Sequence, residues 1–187
     1  MSVIVVYVPD TGHVVGALSA TGAAPPATVT LTDGSPGPID PGGLVGAALP
    51  VRVTVAPGNI ATIPLAAKGL AVHSADDEPG VFAEPLAFAV QTVAGAEPKP
   101  TLAPLPELTA PAFTQDGIEV TVPIANTTQV SKVLVYVADG QTIHSATAEL
   151  AIGDTSVKLP VKVAAGTYGV LVLVSGWAGF LAPVTAK

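Results

Sequence analysis

No cysteine occurs among the 187 residues, so the chain has no disulfide framework, no thiolate nucleophile and no cysteine-ligated metal. Charge is scarce as well: Asp, Glu, Lys and Arg make up 11% of the sequence, against roughly 25% in an average soluble protein. The surface must therefore be tiled with Ala, Thr, Ser, Gly and Val, a composition that invites contact with other protein. Arg52 is the sole arginine, and 7 basic groups stand scattered against 14 acidic ones for a formal net charge of −7. Nucleic-acid binding is not expected, because neutralising phosphates requires clustered Lys and Arg. Aromatic residues are sparse too, at 4%, with a single tryptophan.

What remains is rich in Val, Ala, Gly, Thr and Pro, a mixture that favours strands and turns over helices. The expected fold class is all-β: two small β-sandwich or barrel-like modules joined by a Pro-rich connector. The division follows from "AEPKPTLAPLPELTAPAF" (96–113), which holds Pro98, Pro100, Pro104, Pro106 and Pro111. Proline at that density keeps neither a helix nor a central strand. The boundaries are an N-terminal β-module at 1–95, an extended connector at 96–112 and a second β-module at 113–187. Leu102, Leu105 and Leu108 are placed to pin the connector against a neighbouring surface.

Two apolar stretches bear on membranes. "MSVIVVYVPD" lacks a basic segment before its apolar run, and Pro9-Asp10 cuts that run short, so no secretory signal is expected. Between Lys162 and Lys187 lie 24 uncharged residues, long enough to span a bilayer. Gly166, Gly169, Gly176, Gly179 and Pro183 punctuate them, and Val170 to Val174 is β-prone. A buried strand, a turn and a final strand are expected there instead of an anchor.

In the first module, Ser2–Val8 and His13–Ala20 flank a Pro9–Gly12 turn as a hairpin. Its first strand is apolar on both faces, with Val3, Val5 and Tyr7 on one and Ile4, Val6 and Val8 on the other. Such a strand lies centrally or against a partner. "ATVTLT" (27–32) reads as a further strand, "DGSPGPIDPGG" (33–43) as an irregular loop, "PVRVTVAPGNIATIPLAA" (50–67) as a hairpin turning at Pro57-Gly58-Asn59, and "EPLAFAVQTVA" (84–94) as a last strand.

The second module reads as strands within 117–124, 131–152, 155–163 and 166–186, with Asp139-Gly140 as a two-residue hairpin turn. Its "VKVAAGTYGVLVLV" resembles the stretch of fibronectin type III and related immunoglobulin-like modules in which a Gly-Thr-x-Tyr or Gly-x-Tyr corner opens an alternating strand. Gly166, Thr167 and Tyr168 match the corner, and Val170, Val172 and Val174 match the inward positions behind it. Those modules usually keep a tryptophan in an early strand, where this chain has Ile118, Val120 and Val122. The resemblance covers the C-terminal part alone, and it implies a sandwich with an adhesive or spacer role and no enzyme.

Asp10-Thr11-Gly12 is the tripeptide of aspartic proteases, which need two such carboxylates facing each other to share a proton. Asp154-Thr155-Ser156 is the one candidate second copy, and the chain is too short for two protease lobes. Pro9 and His13 flank the first copy where such enzymes resemble apolar residues before and Ser or Ala after. Turn chemistry explains the same residues: proline presets a dihedral, Asp and Thr accept backbone hydrogen bonds, and glycine closes the hairpin. His13, His73 and His144 show no metal-ligand spacing, and Asp76, Asp77 and Glu78 lack the alternation of a calcium loop, so "HSADDEPG" (73–80) reads as a solvated acidic loop. Ser19, Ser74, Ser145 and Ser175 sit in no nucleophile elbow. Catalytic, cofactor and metal residues are accordingly all set at none.

Contact residues remain. Trp177 and Phe180 in "SGWAGFL" stand in a glycine-rich turn, where aromatics bury much area with few rotamers to freeze. The alternative is that Trp177 caps its own core. Val3, Val5 and Tyr7 form the other candidate surface, on condition that another subunit covers them. The expected function is a non-enzymatic structural subunit of a larger protein assembly, such as a phage capsid or phage-tail-like accessory or decoration protein, built in the cytoplasm. Its partners are protein, either itself or other subunits. The alternative is an extracellular adhesion or carbohydrate-binding module.

Overall fold

The computed structural model describes residues 2–19, 46–76, 78–93 and 99–187. The expected strand 27–32 and loop 33–43 lie outside them. Fourteen strands are present among the described residues: β1 Ser2–Tyr7, β2 Val14–Ser19, β3 Ala48–Ala56, β4 Asn59–Ala66, β5 Ala71–Asp76, β6 Phe88–Val93, β7 Lys99–Pro104, β8 Ala112–Thr114, β9 Gly117–Thr121, β10 Ser131–Ala138, β11 Ile143–Leu150, β12 Ser156–Leu159, β13 Gly166–Val174 and β14 Phe180–Ala186. One four-residue helix, α1 (Gly80–Ala83), interrupts them. The protein is all-β, as its composition requires. Contacts divide it into two units, one of Met1–Leu49 with Leu65–Leu105 and one of Pro50–Pro64 with Pro106–Lys187.

In the first unit β1 lies between β2 and β5, antiparallel to both. This central place explains why its sequence does not alternate: Val3 and Val5 join Val14 and Val81 in a core against Phe88, Val90 and Leu102, while Ile4 and Val6 are buried on the opposite face. On that opposite face Gly16 is flanked by Leu49 and Val6. The expected acidic loop begins as strand, because His73 to Asp76 pair with Val5 to Ser2. β1 needs that second ladder to satisfy its buried backbone groups.

The proline-rich connector is likewise part strand. Lys99–Pro104 pairs antiparallel with β6, Thr101 opposite Gln91 and Leu102 opposite Val90. Proline is tolerated because β7 pairs on one side alone, so the missing N–H groups break no second ladder. Leu102 packs in the first unit's core, and Leu108 packs on the core of the second.

The second unit is a β-sandwich. One sheet has the order β12-β9-β8 and the other β11-β10-β13-β14. Between them Ile118, Val120, Leu159, Val133, Val135, Val137, Val170, Val172 and Val174 form the core. The apolar run 163–186 is thus two antiparallel strands and a turn, and no helix among the described residues is long and apolar enough to cross a membrane. Tyr168, at the start of β13, donates its hydroxyl hydrogen bond to the Ala164 carbonyl at 3.0 Å and packs at 5.8 Å from the Phe113 ring. That bond ties the β12–β13 connection to the core. Tyr168→Phe is expected to lower the unfolding free energy by about 1 kcal/mol, read as a lower urea midpoint at unchanged slope.

The sequence order places the hairpin β3–β4 in the N-terminal module, yet Pro50–Pro64 belongs to the second unit. Strand geometry puts Gly169, Leu171 and Leu173 on the face of β13 opposite the sandwich core. Leu171 and Leu173 are nonetheless fully buried. A Cβ placed on Gly169 would lie 2.6 Å from Val53 Cγ1 and 2.9 Å from Ala61 Cβ, so the hairpin lies directly on this face. Val53, Ala61 and Ile63 are buried in turn. The unit therefore has three layers, the third being a two-stranded sheet with its own ladder.

At the hairpin tip the turn between β10 and β11 has four residues, Asp139 to Thr142, in place of the expected two. The Asp139 carboxylate accepts from the Thr142 N–H at 2.7 Å and the Gln141 N–H at 2.9 Å. These two bonds, Thr142 first, hold its carboxyl below the usual aspartate range and stabilise the longer turn.

Candidate functional site

Antiparallel connection brings three loops of the sandwich to one end, opposite the Asp139–Thr142 turn. They are 122–130 after β9, 151–155 after β11 and 175–179 after β13. Backbone bonds tie the first two together, Gly153 N–H donating to the Asn126 carbonyl at 2.9 Å and Val122 N–H to Thr155 at 2.8 Å, while Ser175 N–H of the third donates to Lys132 of β10 at 3.0 Å. Asn126 organises the first loop from within. Its side-chain oxygen accepts from Thr128 N–H and Thr128 Oγ1, both at 3.0 Å, and from Gln129 N–H at 3.2 Å. Such Asx bonding replaces ladder bonds where the strand ends.

On these braced loops stand Ile124, 71% exposed, Ile152, 53% exposed, and Val130, 45% exposed. Exposed apolar residues scattered singly need no explanation, but three on adjoining loops of one end do. Trp177 belongs to the same end. It is half-buried, packs with Phe180 on the sandwich core, and its N–H donates to the Val174 carbonyl at 3.0 Å. Trp177 is thus in part a cap on its own core. The signal of the isoleucines and the valine was present in "PIANTTQV" and "LAIGDTS", where apolar residues continue into turn-forming segments after strand alternation has stopped.

The other candidate surface is used internally. Val3 and Val5 are buried in the first unit's own core, and Tyr7 is half-buried against it. The cover that these side chains needed comes from Phe88, Val90 and Leu102 of the same unit.

The Asp10 turn is closed by bonds of Gly12 N–H to Val8 at 2.7 Å and Val8 N–H to His13 at 2.9 Å, with Gly12 at a φ of 80°. Asp10 is exposed in the first unit, and Asp154 is exposed in the second. Thr11 and His13 are buried, and His13 bridges to Ala89. The turn thus anchors the β1–β2 hairpin to β6, where Val90 N–H donates to Gly12 at 2.8 Å. Among the described residues no group of three or more His, Asp or Glu stands close enough to hold a metal ion.

A groove of about 760 Å³ opens elsewhere on the second unit, between β8 and β14, lined by Phe113, Val161, Val163 and Val184 with Lys162 and Lys187 at its rim. Thr114, Gln115 and Thr185 also line it. What the loop end offers chemically is apolar surface to remove from water. Compared with known protein families, with curated proteins and with solved structures, the chain matches none.

Proposed function

We propose that the protein is a non-enzymatic structural subunit of a larger protein assembly, whose second unit is a fibronectin type III-like sandwich that docks through its loop end. The strand orders β12-β9-β8 and β11-β10-β13-β14, together with the Tyr168 corner, support the likeness. The observation that carries the functional reading is the exposure of Ile124, Val130 and Ile152 on loops at one end of the sandwich. Burying such a patch is favourable by roughly 25 cal/mol per Å² of apolar surface, and the low charge of the chain adds little desolvation cost. An accessory or decoration subunit of a phage-like particle is the kind of assembly this composition suits.

The triple variant Ile124→Ser, Val130→Ser, Ile152→Ser tests the reading. Self-association or partner binding, followed by light scattering across micromolar to near-millimolar concentration and by recovery from the native source, is expected to weaken at least roughly tenfold. Fold stability should stay close to wild type, since exposed positions contribute within about 0.5 kcal/mol each. A wild-type chain that is strictly monomeric and recovers no partner would sink the proposal. The half-exposed Trp177 in its glycine-rich turn favours carbohydrate binding as a second reading, which a uniformly blank glycan array would remove.

A further inference from the structure

We propose that β11 is an open edge on which a second copy of the chain pairs antiparallel through its own β11, about a two-fold axis at Ala146, so that two second units share one continuous sheet. This surface is distinct from the loop end and does not depend on it. β11 ends the β11-β10-β13-β14 sheet and has β10 as its one ladder neighbour among the described residues. Its eight residues, "IHSATAEL", hold no Pro, Gly, Lys or Arg, and their register with β10 runs from Ile143 to Leu150 without a bulge. The unit's other outer strands carry the devices that keep strands from adding at an edge. β14 contains Pro183, β3 and β4 contain Pro50 and Pro64, β12 is four residues long with Lys158, and β8 is three residues long after Pro111. β11 has none of these.

The ladder bonds fix which backbone groups are free. The Lys132 carbonyl accepts from Ser175 N–H beyond the end of β13, and Asp139 N–H donates to the Thr142 carbonyl beside β11. Bonding direction alternates along an antiparallel strand, so the even-numbered residues of β10 face β13 and the odd-numbered ones face β11. Through the β10–β11 register, His144, Ala146, Ala148 and Leu150 direct their N–H and C=O groups toward β10, and Ile143, Ser145, Thr147 and Glu149 direct theirs away from the sheet. Those four residues are all exposed. In a symmetric antiparallel pair, an outward-bonding residue must meet another of its kind. The register centred on Ala146 pairs all four, Ile143 with Glu149 and Ser145 with Thr147, and closes about eight hydrogen bonds. Registers centred on Ser145 or Thr147 leave one of the four unpaired on each strand. The Ala146 register also sets two hydroxyl side chains opposite each other and places Glu149 against Ile143, away from its own copy, whereas like charges directly opposite are destabilising. This match of the strand to its own reverse points to a second copy in preference to an arbitrary strand.

Single cysteines test the register, because the chain has none of its own. At the axis Ala146 and its copy form a non-hydrogen-bonded pair with Cα atoms about 4.5 Å apart, within disulfide reach, whereas Ala148 and its copy stand about 14 Å apart along the strands. Full-length Ala146→Cys, oxidised with glutathione disulfide at protein concentrations rising to near-millimolar, is expected to yield at least roughly tenfold more disulfide dimer than Ala148→Cys, which is equally half-buried. Equal capture at the two positions overturns the register. Ile143 gives a second readout without cysteine. Opposite Glu149 of the second copy, Ile143→Lys should tighten self-association and Ile143→Glu should weaken it, with constants roughly two- to thirtyfold apart because the pair occurs twice in each dimer. Identical constants, or a wild-type chain that light scattering shows to be monomeric throughout, overturn the proposal. Capture of Ala146→Cys should persist when Ile124, Val130 and Ile152 are all serine. Its loss there would overturn an independent edge, and its persistence beside a failure of the loop end to bind would leave the edge standing.

Discussion

Gly117→Ala is expected to unfold the second unit at temperatures where the native chain is folded. Gly117 opens β9 at a φ of 144°, a conformation that side chains other than glycine rarely adopt, and holding alanine there costs about 1–3 kcal/mol. The added Cβ would also run into the Leu159 carbonyl oxygen, with Leu159 C at 3.0 Å and Val161 N at 3.1 Å. These are backbone atoms, so no rotamer change makes room. Relief requires that β12 move away from β9, which opens the Leu159–Ile118 pair at the centre of the core. Overpacking of this kind adds about 1–3 kcal/mol, and the two effects together reach roughly 2–6 kcal/mol. Whole domains are stable by only about 5–15 kcal/mol, so the loss takes much of what holds the unit together. Trp177, the single tryptophan, lies in this unit and reports its unfolding by fluorescence in a urea titration. Gly153→Ala is the control, at a φ of 88° with open space around it, and should cost about 1–2 kcal/mol. Equal losses at the two glycines would show that the approach to Leu159 is not the cause.

Much of the second unit was legible because its information is local. The alternation of Ile118 and Val120, of Val133, Val135 and Val137, and of Val170, Val172 and Val174 states which side faces inward, and those residues are the core. Tyr168 was readable as a corner from Gly166-Thr167-Tyr168, and its hydroxyl does reach back to Ala164. The Pro9–Gly12 turn was readable for the same reason, whereas the two-faced apolarity of β1 left a central place and a partner's cover both open, and the structure gives the central place. What escaped was the choice of partner, which no local period encodes. The alternation of β3 and β4 marks a half-buried hairpin but not which sheet it covers, and sequence neighbourhood pointed to the N-terminal module. Prolines in Lys99–Pro104 exclude a central strand, but they do not exclude an edge such as β7, where one row of N–H groups has no ladder to complete. The nearness of Ile124 and Val130 to Ile152 was missed because their two loops, separated in sequence by the β10–β11 hairpin, meet only after the strands have paired.

Leu171→Ala and Leu173→Ala are each expected to cost about 2–5 kcal/mol, as much as Leu159→Ala inside the sandwich. For a two-layer sandwich this would be surprising, since leucines on the outward face would lie near the surface, where substitutions mostly change stability by less than about 0.5 kcal/mol. Here both are fully buried and the hairpin packs on the same face at Gly169, so truncation is expected to leave a cavity between two sheets that backbone ladders hold in place. The β13 sequence carried the hint: Val170 to Val174 is apolar at every position, and a strand that does not alternate has two apolar neighbours. Ile63→Ala, made on the hairpin, should cost a similar amount. Combined with Leu171→Ala it should fall short of additivity by about 0.5–3 kcal/mol, because both truncations enlarge one shared space. The same pairing with Leu159→Ala, in the core on the far side of β13, should be additive. Full additivity of Ile63→Ala with both Leu171→Ala and Leu173→Ala would remove the hairpin from that face.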